Sequence, residues 1–96
     1  MTAIRFARFH VEPADADEMI NKRALLVDAI RHRFPGLTRT HLTRLGERTW
    51  LDIWRWESHA DLQRALEAGP TLAEAPAVFA LAQELSTEDA DLVDER

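Results

Sequence analysis

The 96-residue sequence contains no cysteine, no tyrosine, a single lysine and only three glycines. Without cysteine there can be no disulfide, no thiolate metal ligand and no cysteine nucleophile. The chain also lacks a phosphate-binding glycine-rich loop and the motif that surrounds a nucleophilic serine. No apolar run is long enough for a signal peptide or a membrane span, so we expect a cytoplasmic protein with no membrane partner.

Charge and histidine spacing exclude two further classes of site. The formal net charge is -5 and acidic residues gather near the C-terminus, so the phosphate backbone of a nucleic acid would be repelled. The four histidines are scattered and show no H-x-H or H-x-x-x-H spacing. We therefore predict neither nucleic-acid binding nor a metal site.

The length predicts one domain over residues 1–96, and 46% apolar with 30% charged residues is a normal globular composition. A chain this short buries a modest fraction of its surface, which favours burial against a second copy. We therefore expect a homodimer.

The first strand and helix are indicated by hydrophobic periodicity. Residues Ile4–Val11 alternate, with Ile4, Phe6, Arg8 and His10 on one face and Arg5, Ala7, Phe9 and Val11 on the other. Asp15 and Glu18 then resemble a capping box that begins a helix running to about Phe34. Its apolar stripe consists of Met19, Ile20, Leu26, Val27, Ile30 and Phe34, and Arg23 lies within it.

A hairpin is predicted after Pro35-Gly36, with strands Leu37–Leu45 and Arg48–Trp56. Between them Gly46-Glu47 fits a two-residue type II′ turn. That turn would place all three tryptophans on one face of the sheet and set the following opposite pairs: Thr43 with Trp50, His41 with Asp52, Arg39 with Trp54, and Leu37 with Trp56.

The rest of the chain predicts two helices and a last strand. Ser58 is a helix cap for His59–Ala68, a further helix begins between Thr71 and Pro76 and continues through Ala82, and residues 87–94 form a fourth strand. The fold class is therefore α+β, a ferredoxin-like β-α-β-β-α-β antiparallel sheet with helices on one face. Because both sheet faces are apolar, the uncovered face needs a second sheet, which predicts a dimeric α+β barrel.

Three segments carry a resemblance to a known family. They are Val11-Glu12-Pro13, Phe34-Pro35-Gly36, and Trp56-Glu57-Ser58 followed by Leu62 and Ala65. With them the chain resembles the antibiotic-biosynthesis monooxygenase superfamily of dimeric α+β barrels over nearly its whole length.

The resemblance implies oxidation of polycyclic phenols by O₂ without metal or flavin, hence no cofactor. Trp56 matches a tryptophan that lines the pocket of quinone-forming members, whereas Asp52 stands where those members have an asparagine. The haem-degrading members have a histidine on the second helix and an asparagine on the first strand. Here those positions hold Leu66 or Glu67 and about Ala7, which argues against haem degradation.

His41 and Asp52 are the candidate catalytic pair. A carboxylate opposite the imidazole would orient it to take a proton from an acidic phenol or anthrone, which can then react with O₂. The alternative is a cross-strand polar pair that only stabilises the sheet.

Five other side chains are candidate substrate contacts. Trp50, Trp54 and Trp56 provide flat apolar walls for a polycyclic ring, or else they simply fill the core. Arg39 is predicted to lie over Trp54. Arg23 needs a partner within its apolar stripe; it is predicted to hold a ligand carboxylate or phenolate, to pair with an acid such as Asp52, or to reach water.

Two functions remain open at this point. The first is a cofactor-independent monooxygenase that acts on an aromatic polyketide-like molecule. The second is a non-catalytic small-molecule-binding or structural dimer of the same fold, which the absence of tyrosine and the presence of Asp52 favour.

Overall fold

Four antiparallel strands and three helices make up the chain. A computed structural model describes residues 1–96, apart from the side chain of residue 70. The strands are β1 (Ala3–His10), β2 (Leu37–Arg44), β3 (Thr49–Trp56) and β4 (Gln83–Asp91), and the helices are α1 (Ala16–Arg33), α2 (His59–Ala68) and α3 (Ala75–Phe79). The spatial order of the strands is β2-β3-β1-β4, so the predicted α+β arrangement is confirmed. In the described part of the chain no helix has both the length and the apolar character to cross a lipid bilayer.

The two faces of the sheet differ in burial. Phe9, Trp50 and Trp56 on one face are buried against the helices. The opposite face, which we call the open face, carries half-buried apolar side chains on the two central strands: Ile4, Phe6, Leu51 and Ile53. Arg8 and His10 of β1 also lie on the open face.

The predicted hairpin register is wrong by one residue from Arg39 onward. The predicted pair of Leu37 with Trp56 is confirmed, because the register shifts between Leu37 and Arg39. The connection is a four-residue loop in which the N–H groups of Leu45 and Gly46 both donate to the Thr49 carbonyl, at 2.8 and 3.3 Å. No glycine has a positive φ, as a type II′ turn with Gly46 first would require. A shift of one residue moves every side chain of a strand to the other face.

Arg44 gives a physical reason for the observed register. It lies opposite Trp50, and its guanidinium carbon is 4.8 Å from the centre of the Trp50 ring. Its Nε and Nη2 also donate to the carbonyls of Gly46 and Glu47, at 3.1 and 2.8 Å. The cation–π contact and the two hydrogen bonds stabilise a loop longer than the predicted turn.

Other boundaries also differ from the prediction. Asp15 makes no side-chain cap bond, since its backbone is already helical (φ -98°, ψ 0°) at the end of a 3₁₀ turn over Pro13–Asp15. The third helix ends at Phe79 rather than Ala82. β4 spans Gln83–Asp91 rather than the predicted residues 87–94, because it pairs with β1 from His10 back to Ala3.

Gly36 allows α2 to approach the turn between α1 and β2. A Cβ atom built on Gly36 would lie 2.7 Å from Cγ and 2.8 Å from Cβ of Asp61. Asp61 belongs to the confirmed cap of α2, where the Ser58 hydroxyl accepts from its N–H at 3.1 Å. The absence of a side chain at Gly36 therefore positions the start of α2.

We expect Gly36→Ala to destabilise the protein by about 1–3 kcal/mol, because the methyl group overlaps the root of the Asp61 side chain. The matched control is Gly46→Ala, where a Cβ meets nothing within 4 Å and φ is not positive. That control should be neutral or slightly stabilising. Urea unfolding of the three proteins measures both effects, and equal stability of the two variants would contradict the prediction.

Candidate functional site

A cavity of about 490 Å³ lies between the sheet and the helices. Its size is within the usual range for small-molecule sites. Its wall is mostly apolar and is shared by three core clusters, which contribute Trp56, Leu62 and Ala65; Phe9 and Met19; and Leu26, Leu72, Ala75 and Val78. The core is thus built around an open space and does not fill it.

Arg23 and Asp52 form an ion pair in the wall of this cavity. Arg23 Nε donates to Asp52 Oδ2 at 2.8 Å, and Nη2 donates to Oδ1 at 2.7 Å. The two side chains are 13% and 8% exposed. The predicted pairing of Arg23 with Asp52 is therefore confirmed, and its two parallel hydrogen bonds are the strong form of such a pair.

Two of the three predicted tryptophans reach the cavity. Trp54 and Trp56 line it, and the Arg23 guanidinium carbon lies 5.8 Å from the centre of the Trp54 ring. Trp50 shares their face of the sheet but is packed in the core with Phe9 and Met19, outside the cavity wall. The cation over Trp54 is Arg23 rather than the predicted Arg39.

His41 and Arg39 lie on the open face, away from the cavity. His41 is opposite Ile53 and Arg39 is opposite Arg55, so the predicted contacts of His41 with Asp52 and of Arg39 with Trp54 are wrong. Leu42 occupies the position opposite Asp52. The cause is the one-residue register shift, which turns both side chains to the other face.

The mouth of the cavity combines apolar side chains with a second ion pair. Leu66, Phe79 and Leu85 line the cavity and are exposed. Beside them Arg5 binds Asp89 of β4, with Nε donating at 2.8 Å and Nη2 at 3.0 Å. This second pair is more exposed than the first, so water competes with it more strongly.

Several cavity residues were not among the sequence candidates. The contribution of the third helical segment, Leu72, Ala75, Val78 and Phe79, follows a three- to four-residue spacing that could have indicated it. Arg5, Leu85 and Thr87 were not predicted, because the sequence does not show which face of β1 meets the helices and because β4 begins at Gln83 rather than at the predicted residue 87. Among the described residues no three His, Asp or Glu side chains come together as a metal site would require.

Comparison with known proteins gives the fold. No protein-family model matches the sequence, and no curated protein matches it. Solved structures do match. SnoaB, a cofactor-independent oxygenase from Streptomyces nogalater, is 24% identical with a TM-score of 0.74 over 98% of this chain and 95% of SnoaB. A candidate antibiotic biosynthesis monooxygenase from Caulobacter crescentus is 20% identical with a TM-score of 0.78 over 97% and 91%.

The chain has the same α+β fold as these structures. A variant of MhuD with two manganese protoporphyrin IX molecules bound per active site also shares this fold, at 19% identity and a TM-score of 0.69 over 98% of this chain and 97% of MhuD. At these identities the likeness concerns the backbone.

We expect Arg23→Met to destabilise the protein by about 2–4 kcal/mol, because it leaves the Asp52 carboxylate buried without its partner. The double variant Arg23→Met/Asp52→Leu removes both charges and should be closer to the wild type in stability. Urea unfolding of the wild type, both single variants and the double variant measures the coupling. If the single Arg23 variant is as stable as the double variant, the pair has no such role.

Proposed function

We propose that the protein is a cofactor-independent monooxygenase that acts on an aromatic polyketide-like small molecule. The observation that carries this proposal is the cavity, where Trp54 and Trp56 lie beside the Arg23–Asp52 pair. Aromatic walls suit a planar ring system, and a charged pair in an apolar wall suits a step that moves a proton. The shared fold with SnoaB, a cofactor-independent oxygenase, supports the same reaction class.

The reaction requires an acidic C–H or O–H group on the substrate. In an anthrone, loss of a proton from the ring methylene gives an anion that spreads over the ring and its oxygen. The anionic carbon then bonds to O₂, which is reduced to a bound hydroperoxide after it takes up a proton. Loss of water from the hydroperoxide leaves a carbonyl at the former methylene, so the substrate and O₂ give a quinone and water.

Asp52 is the group that we assign to receive the first proton. Among the described residues that line the cavity it is the one carboxylate, and neither a histidine nor a tyrosine lines the cavity. The two hydrogen bonds from Arg23 occupy one lone-pair site on each carboxylate oxygen, so a second site remains on each. His41 has no part in this proposal, because it lies on the open face.

A binding protein without catalysis is the second candidate. The observation that favours it is that both oxygens of Asp52 already accept a hydrogen bond from Arg23, which weakens the case for a free base. In that case the cavity would hold the same kind of aromatic ligand and release it unchanged. The two candidates differ in oxygen consumption.

The open face supports a homodimer of the barrel type. Ile4, Phe6, Leu51 and Ile53 form an apolar patch on the two central strands, with no helix above it in the described chain. A second sheet packed on this patch would bury it, as in other two-layer folds. Because the cavity is on the helix side, such a dimer leaves its mouth open to ligand.

Charge on the open face also fits a symmetric pair. Arg39 and His41 lie on the β2 side, and Glu88 lies on the β4 side. A twofold arrangement that brings the β2 side of one copy to the β4 side of the other would place opposite charges together.

Near the β3 end of this face, Arg55 Nη1 donates to Glu95 Oε2 at 2.5 Å, and this hydrogen bond and the Arg55 charge lower the pKa of Glu95.

We expect Asp52→Asn to reduce the kcat for oxygen uptake with anthrone about a hundredfold or more, because the amide cannot receive the proton. His41→Ala is the control and should leave uptake unchanged, since His41 is remote from the cavity. An oxygen electrode measures the rates, and circular dichroism verifies the fold. Undiminished uptake in folded Asp52→Asn would contradict the assigned role, and ligand binding by the wild type without uptake would identify the binding protein instead.

We expect the wild type to be a dimer and Ile53→Glu to be a monomer, because the new carboxylate would be buried between two open faces. Leu25→Glu makes the same chemical change on an exposed site of α1 and should remain dimeric. Native mass spectrometry at micromolar concentration distinguishes the states. A monomeric wild type would remove the dimer from the proposal.

A further inference from the structure

One edge of the Arg23 guanidinium group has no protein partner among the described residues. Nε and Nη2 donate to Asp52, whereas Nη1 makes no hydrogen bond. Nε1 of Trp50 and Nε1 of Trp56 are buried side-chain nitrogens without a hydrogen-bond partner. Nη1 of Arg23 is not one of these buried atoms, so it is accessible to solvent. Arg23 lines the cavity, and Nη1 therefore keeps two N–H donors with access to open space.

The position of Asp52 determines where this free edge is directed. A guanidinium is planar, and a carboxylate that binds Nε and Nη2 lies along one side of the plane. The N–H bonds of Nη1 point away from that side. A ligand oxygen on Nη1 is consequently nearer to the positive guanidinium than to the negative carboxylate, and its interaction with the pair is favourable.

The Trp54 ring completes the site. The guanidinium carbon of Arg23 lies 5.8 Å from the centre of this ring, and Trp56 lines the same cavity. A planar aromatic ligand stacked along these walls can direct an oxygen substituent to Nη1. Charge-assisted hydrogen bonds are markedly stronger than neutral ones, and the difference increases where the surroundings are apolar.

The geometry points to an aromatic anion as the preferred ligand of this cavity, with its phenolate or carboxylate oxygen bound by the free edge of Arg23 and its rings against Trp54 and Trp56. This inference rests on the proposed function in one respect, that the cavity is where the substrate binds. Under it Asp52 is also a positioning residue, since its carboxylate orients the guanidinium whose other edge holds the ligand. The site would bind the ionised form of the substrate more tightly than the neutral form, which favours the proton loss that precedes reaction with O₂.

The test compares two probes of the same shape, 2-naphthoate and the uncharged 2-naphthamide, by equilibrium dialysis against the intact protein at neutral pH. We expect naphthoate to bind the wild type about tenfold more tightly than the amide. The double variant Arg23→Met/Asp52→Leu should bind both probes equally. The matched control Arg5→Met/Asp89→Leu, which removes the pair at the mouth, should retain the preference for the anion.

Equal binding of the two probes by the wild type would overturn the inference without any variant being needed. Loss of the preference in the Arg5 control and its retention in the Arg23 variant would also overturn it, by moving the anion site to the mouth. The same preparations are assayed for oxygen uptake with anthrone. Oxygen uptake without a preference for naphthoate overturns this inference and leaves the proposed oxygenase. A preference for naphthoate without oxygen uptake overturns the proposed oxygenase and leaves the anion site. If the wild type binds neither probe, the inference is overturned.

Discussion

The ion pair between Arg23 and Asp52 joins α1 to the middle of β3 across the wall of the cavity. α1 contributes Met19 to one core cluster, Val27 to a second and Leu26 to a third, and all three clusters surround the cavity or adjoin its walls. Because the long Arg23 side chain reaches from α1 to Asp52 on β3, the pair links the helix to the sheet beside the cavity. The pair also places charge in a mostly apolar wall.

That arrangement gives one residue pair three properties that a ligand site needs. The carboxylate fixes the orientation of the guanidinium, the guanidinium lies above the Trp54 ring, and one of its edges remains free. Preorganised charge of this kind acts most strongly where water is largely excluded. The same features suit both proposed functions, ligand binding and catalysis, so oxygen consumption, rather than geometry, separates the two.

The sheet separates the cavity from the open face, so the proposed ligand site and the proposed dimer contact use different surfaces. β4 belongs to both, since Leu85 and Thr87 line the cavity while Glu88 lies on the open face. This edge strand is held to its neighbours by exposed pairs, among them Arg5 with Asp89, His10 with Glu84 and His59 with Asp91. Exposed pairs contribute little individually, so backbone pairing with β1 supplies most of the attachment.

Local patterns in the sequence determined the order of the elements, the apolar stripe of α1 apart from the exposed Ile20, the cap at Ser58 and the alternation along β1. They also gave three alternatives for Arg23, of which pairing with Asp52 is observed. These follow from hydrophobic period and from the desolvation of charge, which depend on neighbouring residues alone.

Tertiary structure decided the hairpin register, and with it the faces of His41 and Arg39. A loop of two or four residues is chosen by contacts such as that of Arg44 with Trp50, which form only when the strands meet. It also decided that Trp54 and Trp56 border a cavity while Trp50 does not, because an empty volume results from how three clusters pack together and has no pattern of its own along the chain.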